Sequence, residues 1–143
     1  MRAVLIALAV LLFLGISLLV ARWLNVDTIE RGKVVDVLEA QLAGDADAML
    51  REIACPDARC EAVVRENART LKQPGKLEVV RYDSPTTHAL GGASGPVRVV
   101  WQAPGRLPTV QCVLVERDGN AVTGASVTLR RLSAPIGRES SCP

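Results

Sequence analysis

From Ala3 to Ala21 the chain carries no charged residue; Ala, Val, Leu, Ile and Phe run on, interrupted only by Gly15 and Ser17. A hydrocarbon core of about 30 Å takes about 20 residues of α-helix to cross, so the run is long enough to span a bilayer. Buried helices of globular domains seldom extend this far without a polar face. Trp23 stands just past its end, where an indole suits the headgroup layer. The run also explains a mean hydropathy of +0.24 with 49% hydrophobic residues, values otherwise too apolar for a water-soluble domain. The whole chain has 143 residues, room for one domain and a short extra element.

The run reads either as an uncleaved anchor or as a removable signal peptide. A cleaved signal has a shorter apolar region of about 7–15 residues ending at small residues. The best candidates for such a site, Gly15-Ile16-Ser17 and Leu19-Val20-Ala21, fit that pattern poorly, and no cysteine near the end of the run could accept a lipid. The expected division is residues 1–22 as a transmembrane anchor or uncleaved signal and residues 23–143 as an exported domain. Arg2 lies on one side of the run and Arg22, Arg31 and Lys33 on the other. Counted naively, that asymmetry holds the domain in the cytoplasm, but long domains translocate largely regardless of charge. Four cysteines and a single histidine argue for disulfides in an oxidising compartment rather than for a metal site. The expected location is a cell membrane, single-pass, with the domain on the extracytoplasmic side.

Net charge is +2, with both signs interspersed, and the few aromatic residues are scattered. No basic stripe with interleaved aromatics is present, which argues against nucleic acid as a partner.

Beyond the anchor, Asp27-Thr28-Ile29-Glu30 has the form of a capping box opening a helix. Val34, Val35, Leu38 and Leu42 then share one face, opposite Lys33, Asp36 and Glu39, and Gly44 ends the segment. Asp45 is expected to cap a short helix over 46–53. Asp57, after Pro56, is expected to cap a third reaching about Leu71, with Val64, Ala68 and Leu71 inward and a Glu61–Arg65 pair outside. From Lys76 the apolar period becomes two. Strands are expected at 77–82, 97–102, 110–116 and 122–132, with a hairpin turn at Asp118-Gly119-Asn120 and a bulge or bend at Gly124.

Helices preceding an antiparallel meander give an α+β fold: an N-terminal transmembrane helix, then two or three helices packed on a curved four-stranded antiparallel sheet. This order of elements resembles the cystatin-like and nuclear transport factor two-like domains of small, uncharacterised, membrane-anchored bacterial proteins. The resemblance implies a fold but no function, because such folds host enzymes, binders and adaptors alike.

Candidates for chemistry are few. His88, the only histidine, falls in a Gly- and Thr-rich loop with Asp83 nearby, a placement that fits a solvated loop residue better than an acid–base catalyst. Cys55 and Cys60 are separated by four residues instead of the two of a thioredoxin-like motif, so a structural clip fits better than a redox pair. Pairing them leaves Cys112, within a strand, to reach Cys142 in the tail. Gln111-Cys112-Val113-Leu114-Val115 resembles the inhibitory Gln-x-Val-x-Gly loop of cystatins, but the last glycine is absent and the segment reads as strand interior, which argues against protease inhibition. Arg98, Arg130 and Arg131 read as a solvated sheet face. No catalytic, metal or cofactor residue is expected. The expected function is a non-catalytic, membrane-tethered interaction module of the bacterial cell envelope that meets a protein or cell-wall partner. The alternative is a ligand-binding or enzymatic domain using a concave pocket of the sheet, and a deep apolar cavity is the feature that separates the two.

Overall fold

A computed structural model describes residues 2–85, 92–120 and 124–142. It is an α+β fold with three helices and one open four-stranded antiparallel sheet in the order β1-β2-β3-β4. The helices are α1 (Arg2–Ala43), α2 (Ala46–Glu52) and α3 (Ala58–Thr70); the strands are β1 (Glu78–Asp83), β2 (Ala93–Gln102), β3 (Thr109–Asn120) and β4 (Gly124–Leu132).

The apolar run and the first amphipathic segment form one helix of 42 residues, not two. No proline falls between Ala21 and Asp27, and Leu24, Asn25 and Val26 all tolerate helix, so nothing in the chain stops it. The expected capping box is therefore absent: Asp27 and Glu30 lie inside α1, and their carboxylates serve other partners. Gly44 does end the helix, at φ +76°, with its N–H bonded to the Gln41 carbonyl and the Asp45 N–H to the Ala40 carbonyl. That is a Schellman closure, which needs a left-handed residue. Asp45 then caps α2 by accepting from the Ala48 N–H at 2.8 Å, and Asp57 caps α3 through the Cys60 N–H at 2.8 Å. On the surface of α3, Arg65 turns to Asp47 of α2 at 3.4 Å rather than to Glu61.

One face of the sheet packs on the helices. Val97, Val99 and Trp101 of β2, Val113 and Val115 of β3, and Val127, Leu129 and Leu132 of β4 meet Val34, Val37, Leu38 and Leu42 of α1, Met49 of α2, and Val64 and Ala68 of α3. Val35, expected with that helix face, is only half-buried, and Val37 takes its place.

Two bulges set which side chains face inward. Arg130 has no partner between Leu129↔Val115 and Arg131↔Leu114, which turns Leu129 and Leu132 to the same side despite their odd separation. Val80 plays the same part in β1. The irregularity expected at Gly124 is thus at Arg130. β3 extends through Asp118, Gly119 and Asn120, which pair with Ser126, Ala125 and Gly124, so the expected turn residues belong to the ladder. The connection 121–123, the loop residue His88 and the side chains of Arg22 and Trp23 lie outside the described residues.

The chain after β4 continues beside β3. The Ser133 N–H bonds the Cys112 carbonyl and the Ile136 N–H the Val110 carbonyl, both at 2.8 Å. Cys112 is joined to Cys142, and Cys55 to Cys60, with Cα separations of 5.7 and 5.5 Å. The tail therefore covers the sheet face opposite the helices, where Val110 and Cys112 are buried.

Candidate functional site

The least expected feature of this core is a buried set of charges where α1 enters the domain. Glu30 projects from the same α1 face as Val34 and Val37 and is fully buried. Arg117, on the core-facing side of β3, is 2% exposed. Its Nε donates to Glu30 Oε2 and its terminal nitrogen to Asp27 Oδ1, both at 2.6 Å. Tyr82 of β1 donates its hydroxyl to Glu30 Oε1, also at 2.6 Å. The Arg31 guanidinium, one residue further on α1, stands 5.9 Å from the centre of the Tyr82 ring, a cation–π distance. Five side chains from α1, β1 and β3 thus cluster at one point.

Burial by itself raises the pKa of the Glu30 carboxyl. The hydrogen bonds from Arg117, Tyr82 and Ser84 outweigh it and hold Glu30 below the ordinary carboxylate value of 4.5. Tyr82 moves the other way: burial, and its hydrogen bond to the Glu30 carboxylate, push its hydroxyl up. An ionised carboxylate with both oxygens occupied is no general base, and a phenol already donating to it is no nucleophile. The arrangement is suited to holding elements together. Breaking one partner of such a buried pair leaves an uncompensated charge, a costly event.

A second polar network lies further along the same helix. Gln41 and Gln111 exchange amide hydrogen bonds at 3.0 and 3.1 Å, Trp101 Nε1 donates to Gln111 Oε1 at 2.7 Å, and the Gln111 and Asn67 amides both donate to the Ser133 carbonyl. Gln111 therefore faces α1 from inside the core, as no protease-inhibitory loop residue could. Every bond in this network joins different elements, so it fixes α1, α3, the sheet and the tail relative to one another.

The remaining sequence candidates do not converge. Arg130 pairs with Glu116, Arg131 with Asp57 of α3 at 2.7 Å, and Arg98 with the Arg138 carbonyl of the tail. Cys60, in the first turn of α3, is tied to Cys55 and has no thiolate to offer. Among the described residues no group of three His, Cys, Asp or Glu side chains could hold a metal ion. Two surface depressions among the described residues are open and shallow. One runs along α1 past Asp27, Arg31 and Val35, and another lies between the β1 end and the tail, bounded by Tyr82, Pro96, Arg98 and Cys142. The side of the sheet where a concave pocket would form is filled by Trp101, Leu38, Met49, Ile53 and Leu129, each under 3% exposed.

Sequence reading missed both networks, since apolar periodicity is blind to polar residues at core positions. The only trace was the spacing of Glu30, Val34, Val37 and Gln41 on one helical stripe. No protein-family model, curated protein or solved structure matches this chain, and none identifies a cystatin-like or transport-factor-like domain.

Proposed function

We propose that this protein is a non-catalytic, membrane-tethered interaction module whose domain stands on the extracytoplasmic side of a cell envelope. The observation that carries the reading is α1. Its N-terminal part is apolar enough to cross a membrane and is wholly unburied by the rest of the chain, while its C-terminal part is a core helix of the domain. Anchor and domain share one element, locked by Arg117 to Glu30 and Asp27. Two disulfides in a domain this size suit an oxidising compartment. The helix-facing side of the sheet is filled by core side chains, which favours recognition by the domain's exterior over chemistry in a pocket on that side.

Photocrosslinking in intact cells tests the reading, with the crosslinker placed in turn on the exposed faces of α3, β1 and the tail. A discrete adduct to a partner protein or to cell wall from one face is the expected result. Adducts from no face, with the protein correctly membrane-bound and disulfide-linked, contradict it.

A further inference from the structure

Two contacts along α1 fix how the sheet is oriented to it. Glu30 meets Arg117 and Gln41 meets Gln111. Along the helix those positions are separated by about 16 Å of rise, and along β3 by about 20 Å. Positions 30 and 41 of α1 thus meet positions 117 and 111 of β3 in the opposite order, so β3 runs antiparallel to α1 in sense. The end of β3 beyond Arg117 therefore points back along α1 toward the apolar run, and so does the start of β2, where Ser94 pairs with Glu116. The opposite end of the sheet, at Pro104-Gly105-Arg106, points away.

The distances leave little room. Val26 already packs against the core, and it lies only about 7 Å of helix beyond Ala21, the last residue of the apolar run. Glu30 lies about 13 Å beyond Ala21. From Arg117 the ladder continues three residues further toward the apolar run, to Asn120, a strand length of about 10 Å. That strand length is close to the helix length between Glu30 and Ala21, so the paired sheet end lies near the level where the apolar run stops, beside a headgroup layer about 6 Å thick. Among the described residues, Asp118, Ser94 and Ser126 are exposed there and polar, which suits a headgroup layer and not hydrocarbon. The mixed charges nearby, Arg31 and Asp118, single out no lipid class.

We infer that the end of the sheet carrying Asp118 and Ser94 is a membrane-contact surface, seated in the phospholipid headgroup layer rather than held above it on a stalk. The inference rests on the reading that the apolar part of α1 spans the bilayer. It presents the Arg106 end of the sheet, and not the Asp118 end, to partners away from the membrane.

The full chain with both disulfides intact is reconstituted into vesicles of phosphatidylcholine and phosphatidylglycerol. One fluorophore at a time is attached through Asp118→Cys, Ser94→Cys, Arg106→Cys or Leu12→Cys. Lipids carrying a nitroxide on the headgroup are expected to quench the label at Asp118 or Ser94 several-fold more than the label at Arg106, while acyl-chain nitroxides quench the label at Leu12. Asp118 and Ser94 labels quenched no more than the Arg106 label, with Leu12 quenched as expected, overturn the contact surface alone. A Leu12 label untouched by acyl-chain nitroxides overturns the membrane-spanning reading and the contact surface with it.

Discussion

Glu30 and Arg117, 87 positions apart in the chain, meet at 2.6 Å with neither side chain more than 2% exposed. The contact joins the helix that continues into the apolar run to the central part of the sheet. Replacing Arg117 with Met leaves Glu30 buried without its cation, an effect of about 3–5 kcal/mol. Urea unfolding of the full chain in detergent should register that loss. The double replacement Glu30→Leu with Arg117→Met should recover part of it, since the fully buried carboxylate is gone, while Tyr82 loses its acceptor and the part-exposed Asp27 its cation.

The same site sets a pH dependence. Because the carboxyl of Glu30 lies below its ordinary value of 4.5 in the folded protein, its contribution to stability is complete above that value. It is lost as the pH falls below 4.5 and through the folded-state value, where the folded carboxylate must take up a proton. Unfolding curves collected down that range should show a fall in stability that Glu30→Gln removes in part. An identical slope in the variant contradicts the assignment.

Gln111 is the hub of the second network, bonded to Gln41, Trp101 and Ser133. Gln111→Leu strands the Trp101 N–H and the Gln41 amide inside the core, at about 1–3 kcal/mol for each group left unsatisfied. Adding Gln41→Leu should be less harmful in that background than in the native chain, a coupling that a double-mutant cycle reads directly.

The Cys112–Cys142 bridge closes a segment of 30 residues, and in the chain-entropy account such a loop contributes about 3–4 kcal/mol. Cys55–Cys60 closes only five and should contribute less. Cys142→Ser should therefore lower the unfolding midpoint more than Cys55→Ser, and should open Cys112, buried beneath the tail, to thiol reagents once its partner is gone. Peptide mapping without reductant checks the pairing itself.

Much of the architecture was legible in the sequence because local chemistry dictates it. Gly44, Asp45, Pro56 and Asp57 stop and start helices through caps that involve only neighbouring residues. The strands follow from alternation that the sheet makes necessary. Where local patterns fail, a distant partner has taken over. Asp27-Thr28-Ile29-Glu30 has every residue of a capping box, yet its carboxylates bond an arginine about ninety positions away, and the helix runs through. Asp118-Gly119-Asn120 has every residue of a tight turn, yet β4 pairs along it. The polar networks left only the Glu30–Gln41 stripe as a trace, for the same reason: Glu30, Gln41, Gln111 and Arg117 look like surface residues until the elements are packed together.

α1 is one uninterrupted helix that joins the apolar run to the rest of the fold. Nitroxides at Leu12→Cys and Asp36→Cys, both exposed positions on either side of the junction, measure it by double electron–electron resonance in the reconstituted full chain. A continuous helix places the two residues about 36 Å apart along its axis, with a single narrow distribution. A broad distribution reaching well below that distance would mean a hinge between Ala21 and Asp27, and with it a domain that swings freely on its anchor.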